Sequence, residues 1–299
     1  MVDWMNPDLL ASLPEGVTPY QFQVAGHTET KSTGYALLRH PTKPILYKWL
    51  QDRHRGIREK AFYELVYSSD APEAMKALRS FIPRYHGVYR YQASESLYLG
   101  LSDALASFVK PNVCDLTMGT ISYRPNCPRE KQLREEFKYA WRRTIGFFIS
   151  GMQIYDPDKE VFVKFTRQVC RSLTPDEVYD KAISRFLGFD HKHRMRLAAA
   201  YLTKLDDLSR WVECYGFSSV TFCRTSLLLG HESTSISSDT VEVVVRLIDF
   251  TDWAEISPDV SSQSDNSPES ELITGFAHGL SVLMGMLTRA IRSHAVVQD

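Results

Sequence analysis

Between residues 194 and 214, apolar side chains return at three- and four-residue steps, at Leu197, Tyr201, Leu205, Leu208 and Val212. This spacing predicts a long amphipathic helix with one buried stripe. Upstream, Leu173-Thr174-Pro175-Asp176-Glu177-Val178 has the form of a helix start. Thr174 is placed to cap it and Glu177 to bond back from the third position. Leu173 and Val178 would staple the entry, with Gly188 as the stop. Asn126 and Pro128 open a helix reaching about Arg142. Shorter helices are expected over 58–66 and from Asp70, where Asp70 would be the N-cap and Pro72 falls in the first turn. A last helix spans about 275–292.

Other segments have strand lengths. Residues 33–50 read as two short strands around a turn at His40-Pro41-Thr42-Lys43-Pro44. Residues 97–101, 113–118, 220–229 and 241–250 read as further strands, the last two joined by a polar turn. Residues 257–270, rich in Ser, Asp and Pro, are expected to form a flexible surface loop. Strands cluster early and late with helices between, so the expected class is α+β rather than an alternating βαβ sheet.

Composition narrows the partners. Net charge is −1 over 299 residues, so no bulk basic field points to nucleic acid, while a local basic pocket for an anionic substrate stays open. The opening MVDWMNPDLL lacks a basic stretch and a long apolar run, so no secretory signal is expected. No run approaches 18 consecutive apolar residues, so no membrane span is expected. The cysteines at 114, 127, 170, 214 and 223 are scattered and never form CxxC. That suits a reducing compartment, cytoplasm or nucleus, rather than a disulfide framework or zinc site.

Four stretches carry candidate chemistry. In Pro111-Asn112-Val113-Cys114-Asp115-Leu116-Thr117-Met118-Gly119, strand alternation puts Cys114, Leu116 and Met118 on one apolar face. Asp115 and Thr117 share the other, which faces either solvent or a cleft. Val243 to Phe250 is an apolar strand ending in Asp249, whose carboxylate needs a metal ion or a nearby Arg or Lys as partner. Lys48, in an otherwise apolar strand, is followed by Glu59 at the next helix. The pair is either a surface contact or a lysine held to reach nucleotide phosphates. Along 128–142, Lys131, Arg134, Lys138 and Arg142 make a basic stripe, with Leu133, Phe137 and Ala140 on a face able to pack inward. The stripe is either solvated or a grip for a polyphosphate. His191 and His193 have no ligand spacing and read as surface residues. No GxGxxG, Walker A or GxSxG motif is present.

These pieces occur in an order that resembles the inositol polyphosphate kinase family, closest to its multikinase branch. Gln23-Val24-Ala25-Gly26-His27 is similar to the QVAGH of that branch. Lys48, Leu50-Gln51, Arg55-Gly56, Arg58-Glu59 and Ala61-Phe62-Tyr63 resemble its K-x-L-Q and R-G-x-R-E-x-x-F-Y. Ile82-Pro83-Arg84-Tyr85-His86-Gly87 resembles I/L-P-K-Y-Y-G, and Gly146-Phe147 through Ser150-Gly151-Met152 matches G-F-x-x-x-G-M. Arg171-Ser172-Leu173-Thr174, Ser226-Leu227-Leu228 and Ile248-Asp249-Phe250 also fit, so the resemblance covers nearly the whole chain.

The resemblance implies a two-lobed, protein-kinase-like fold with antiparallel sheets and an inserted helical substrate-binding region at about 126–145. Residues 1–103 would form the N-terminal lobe and 104–299 the C-terminal lobe. ATP and Mg²⁺ would bind between them, with transfer to a hydroxyl of an inositol polyphosphate. By position, Lys48 would hold the ATP phosphates, Glu59 would orient Lys48, and Leu101, Ser102, Asp103 and Ala104 would be the hinge at the adenine. Asp249 would bind Mg²⁺, and Asp115 would serve the transferring phosphoryl group and the attacking hydroxyl. Arg55, Lys131, Arg134 and Lys138 would meet substrate phosphates.

Two positions depart from the family pattern. Thr117 stands where P-x-x-x-D-x-K-x-G has its lysine, and Asp252 stands where D-F-A-H has its histidine. A threonine brings no charge to a place where charge stabilisation supplies much of the rate. Asp252 would put a carboxylate beside an inositol polyphosphate. Two readings follow: a kinase of soluble inositol polyphosphates, or a catalytically impaired relative acting as a nucleotide- and inositol-phosphate-binding scaffold or regulator.

Overall fold

The computed structural model describes residues 10–26, 36–51, 53–92, 96–216, 220–233, 241–256 and 268–292. His27, residues 33–35 and most of the loop expected at 257–270 lie outside them. The class is α+β, with mainly antiparallel sheets.

The first sheet has six strands in the order β1-β5-β6-β4-β3-β2. These are β1 (Ala11–Ser12), β2 (Thr18–Pro19), β3 (Leu37–Arg39), β4 (Ile45–Trp49), β5 (Tyr85–Tyr91) and β6 (Ser96–Ser102). β3 and β4 form the expected hairpin, with Leu37 opposite Lys48. Among the described strands, only the two-residue β1 runs parallel to its neighbour, β5. Helix α1 (Arg53–Tyr67) starts five residues before the apolar pattern does, and α2 (Glu73–Leu78) follows. Pro72, in extended backbone, is the N-cap of α2. Asp70 falls in the preceding turn, where its N–H bonds the Ser68 hydroxyl.

The second sheet has the order β12-β11-β7-β8-β9, from β7 (Pro111–Met118), β8 (Phe147–Asp156), β9 (Val161–Phe165), β11 (Ser226–Glu232) and β12 (Val243–Ile248). The segment expected as one strand over 220–229 is two. β10 (Val220–Phe222) leaves to pair with β13 (Trp253–Glu255). Arg224 between β10 and β11 has φ 64°, a left-handed turn that a strand cannot contain.

On the sheet's inner face Cys114, Leu116, Met118, Leu227, Leu229, Val245 and Leu247 enter the main core. Two helices pack there, α8 (His191–Trp211) and α9 (Pro268–Arg292). In α8, Leu197, Tyr201, Leu205 and Leu208 are fully buried, as their spacing requires. Before it lie α5 (Arg167–Ser172), α6 (Pro175–Val178), a π-helical turn and α7 (Ser184–Phe186), with the Thr174/Glu177 capping box formed. By length and composition α9 could cross a bilayer. It presents Phe276, Leu280, Leu283, Leu287 and Ala290 to the core at steps of four and three, as a core helix does.

Gly279 of α9 lies against Gly146, where a Cβ at 279 would sit 2.2 Å from the Gly146 carbonyl oxygen. Gly285, on the exposed side, would meet nothing within 4 Å. Gly285→Ala should therefore stabilise by about 0.5–1 kcal/mol through helix propensity. Gly279→Ala should instead destabilise by about 1–3 kcal/mol, because the backbone clash outweighs that gain. Chemical denaturation of both variants checks the contrast.

Candidate active site

The outer face of the five-stranded sheet and the inner strands of the six-stranded sheet line one cleft. Asp115 points into it from β7, and so does Thr117. In register, Asp115 lies between Leu228 of β11 and Gly151 of β8. A Cβ on Gly151 would lie 1.9 Å from the Val24 carbonyl oxygen, so residue 24 rests directly on β8 next to Asp115. Asp115 is 5% exposed, and its Oδ1 has no hydrogen-bond partner among the described residues. Burial and the nearby Asp249 charge push its pKa up to about 7. A bond from Ser226 and the charges of Arg167 and Lys48 work the other way.

Across the cleft, Lys48 of β4 donates to Glu59 of α1 at 2.7 Å and also contacts the Asp249 carboxylate. Glu59 is buried and accepts a second bond from the Phe250 N–H at 3.2 Å. Phe250 is fully buried and stacks on Phe62 of α1 with centroids 3.9 Å apart. Anchoring that ring leaves Asp249 in left-handed backbone, φ 65°, with its carboxylate 39% exposed in the cleft. Burial disfavours the Lys48 ammonium, but the two carboxylates outweigh it and hold its pKa above the usual lysine range.

The cleft has two compartments. One is a mostly apolar cavity of about 160 Å³, walled by Leu37 and Leu46 from one sheet and Leu228 and Ile248 from the other. Leu101, Ser102, Asp103 and Ala104 close its end. The Asp103 side chain is structural: it accepts from the Tyr20 hydroxyl at 2.8 Å and the Leu105 N–H at 2.9 Å. The other compartment, about 240 Å³, is polar and basic, lined by Arg55, Lys138, Arg142, Arg167, Arg171 and Arg224. Both include Asp115 and Asp249, which therefore stand at the junction.

The helix expected over 128–142 breaks into α3 (Arg129–Phe137) and α4 (Arg142–Ile145). Leu133, Phe137 and Ala140 point outward, Phe137 being 93% exposed. The inward face carries Glu135 and Tyr139 instead. Glu135 is buried because Lys138 at 2.6 Å, Arg224 at 3.2 Å and the Ser122 hydroxyl at 3.2 Å satisfy its carboxylate. This rotation brings Lys138 into the compartment wall but leaves Lys131 and Arg134 out of it.

Arg142 is buried rather than part of a solvated stripe, and donates to the carbonyls of Thr117, Met118 and Gly119 at 3.0–3.1 Å. Burial lowers its pKa to about 10. Asp252 lies outside both compartments, paired with Arg124 at 2.8 Å and Arg58 at 4.0 Å, so it brings no repulsion to the pocket. The Thr117 hydroxyl bonds Ser150 and lies 3.4 Å from that of Ser226. Arg167, Arg224 and Glu135 were not singled out by sequence. They reach the pocket from separate elements, whereas Arg171 belongs to the Arg171-Ser172-Leu173-Thr174 motif.

The sequence profile of the inositol polyphosphate kinase family matches residues 98–287. Over 222 residues the chain is 33% identical to the inositol polyphosphate multikinase of Homo sapiens, covering 74% of this chain and 52% of that protein. It is 29% identical over 248 residues to inositol polyphosphate multikinase alpha of Arabidopsis thaliana, covering 77% and 85%. The chain thus spans about half the length of the mammalian relatives it matches. Among solved structures, the inositol phosphate multikinase of S. cerevisiae in complex with ADP and Mn²⁺ aligns with TM-score 0.61 and 20% identity, covering 82% of this chain and 98% of that one. A second multikinase structure aligns with TM-score 0.57 and 21% identity, over 78% and 99%. These two share the fold.

Proposed function

The chain belongs to the inositol polyphosphate kinase family, and from that premise we propose that it is an ATP-dependent kinase phosphorylating hydroxyls of soluble inositol polyphosphates. The observation that carries this reading is the junction. Asp115 and Asp249 stand where an apolar compartment of about 160 Å³ meets a compartment lined by six cations. Residues 1–103 and 104–299 serve as the two lobes, with Leu101 to Ala104 as the hinge.

Lys48, oriented by Glu59, holds the ATP phosphates. Arg55, Lys138, Arg171 and Arg224 hold the phosphates of the inositol. Asp115 takes the proton of the attacking hydroxyl as its oxygen bonds the γ-phosphorus. The bond from that phosphorus to the bridging oxygen breaks, and ADP leaves with the electron pair. A carboxylate with a pKa near neutrality suits this role. A divalent cation also fits, because Asp249 offers an exposed carboxylate in the cleft. One or two carboxylates together with substrate phosphates suffice for Mg²⁺. When bound, Mg²⁺ would neutralise the β and γ oxygens.

Thr117, uncharged beside Asp115, favours the second reading of a binding protein with impaired catalysis. Purified protein assayed for ATP consumption against a panel of inositol phosphates decides between them. ATP consumed only with an inositol phosphate present supports the kinase, and binding without transfer supports the scaffold. In a kinase, Thr117→Lys should raise kcat by on the order of 10²–10³, since one well-placed donor at developing charge is worth about 3–4 kcal/mol. Residues 115 and 117 share a strand face about 7 Å apart, which puts a lysine at 117 within reach of the same phosphoryl group. No gain on any inositol phosphate would show that another cation already fills the role.

A further inference from the structure

Of the six cations lining the basic compartment, five are engaged by the protein. Lys138 and Arg224 are drawn to Glu135, and Arg142 to the end of β7. Arg55 donates to the Thr251 hydroxyl at 3.1 Å, and the Arg171 guanidinium lies 5.8 Å from the Phe148 ring centroid. Arg167 differs. It is exposed, it opens α5, and its guanidinium has no hydrogen bond or ion pair among the described residues.

Sheet register carries Arg167 toward the reacting centre. Phe165, two residues before it, pairs with Met152 of β8, and the neighbouring Gly151 faces Asp115. Two strand spacings, about 10 Å, separate the backbone of β9 from that of β7. The Val24 backbone lies over Gly151, so an arginine side chain, long enough to cross most of this distance, reaches toward Asp115 beside residue 24 rather than across Gly151 itself. Its charge is felt at Asp115, where it favours the carboxylate. Thr117, on the same cleft face, has its hydroxyl committed to Ser150.

Resting on the kinase reading above, we propose that Arg167 closes onto the γ-phosphoryl group of ATP and stabilises it during transfer. Charge on the equatorial oxygens of a transferring phosphoryl group is met by cations that need form no covalent bond. Arg167 is the cation of the basic compartment that no hydrogen bond, ion pair or aromatic ring engages among the described residues. Bond making and breaking stay as described: acceptor oxygen to γ-phosphorus, ADP departing with the electron pair, proton to Asp115.

The test uses the full chain with Arg167→Gln, Arg167→Lys and the double variant Arg167→Gln/Thr117→Lys. Arg167→Gln should lower kcat by on the order of 10²–10³. It should also weaken ATP binding measured by calorimetry while leaving ADP binding unchanged, a split that a structural role would not produce. Arg167→Lys should recover part of the loss, and so should Thr117→Lys in the Arg167→Gln background. Unchanged kcat together with an unchanged ratio of ATP to ADP affinity in Arg167→Gln overturns the assignment. A wild type that binds ATP yet phosphorylates no inositol phosphate defeats the kinase reading alone, because the affinity ratio still judges Arg167. A wild type that binds neither nucleotide overturns both.

Discussion

Asp115→Asn should lower kcat by about 10²–10⁴, the range that a positioned general base contributes, with nucleotide affinity unchanged or tighter. The substitution keeps size and shape in a site that is 5% exposed, so the loss reports proton acceptance rather than collapse. In the wild type the active form is the carboxylate, so kcat/KM, which reports groups of the free enzyme, should rise with pH through about 7. Asp249→Asn removes a like charge and should move that inflection to lower pH. Stability runs the other way. A carboxyl whose pKa is raised from 3.8 to about 7 on folding contributes stability in full below about pH 4, and this is lost as pH rises through 7. At pH 8 Asp115→Asn should therefore be more stable than wild type, by at most about 4 kcal/mol. At pH 4 the two should match. Denaturation at both pH values, beside a kcat/KM profile, checks the two signs together.

Lys48→Met should abolish ATP binding and also destabilise the fold by about 3 kcal/mol. The second effect arises because Glu59, 1% exposed, loses its ammonium partner and becomes a buried unpaired charge. Adding Glu59→Gln removes that charge and should restore most of the stability without restoring ATP binding. Calorimetry with ATP and Mg²⁺, run beside denaturation of the single and double variants, separates the two roles. Full nucleotide affinity in Lys48→Met would remove Lys48 from the phosphate site.

What could be read from the chain divides by how local its cause is. The Thr174 capping box, the stripe of α8 and the alternation at Cys114, Asp115, Leu116 and Thr117 depend on a few adjacent residues, and each took its expected form. The Lys48–Glu59 pair spans only 11 residues and follows from a strand meeting the next helix. The Lys48–Asp249 contact spans 201 residues and the Arg124–Asp252 pair 128, and no pattern along the chain announces either. From α3 onward the apolar spacing marks the wrong face. Leu133, Phe137 and Ala140 have the spacing of a buried stripe, but turning them inward would pull the Glu135 carboxylate away from Lys138 and Arg224. A satisfied buried charge outweighed three apolar side chains, and that choice decides which lysine lines the pocket.

The Lys48–Asp249 contact also constrains how ligands arrive. A divalent cation alone must take the Asp249 carboxylate away from an ammonium, and a nucleotide alone must draw Lys48 off that same carboxylate. Whichever comes first breaks the contact for the other. The two affinities are therefore linked, and reciprocity requires that each ligand tighten the other by the same factor. Nucleotide and cation would then occupy the cleft as a pair, with each measured alone underestimating its strength in company.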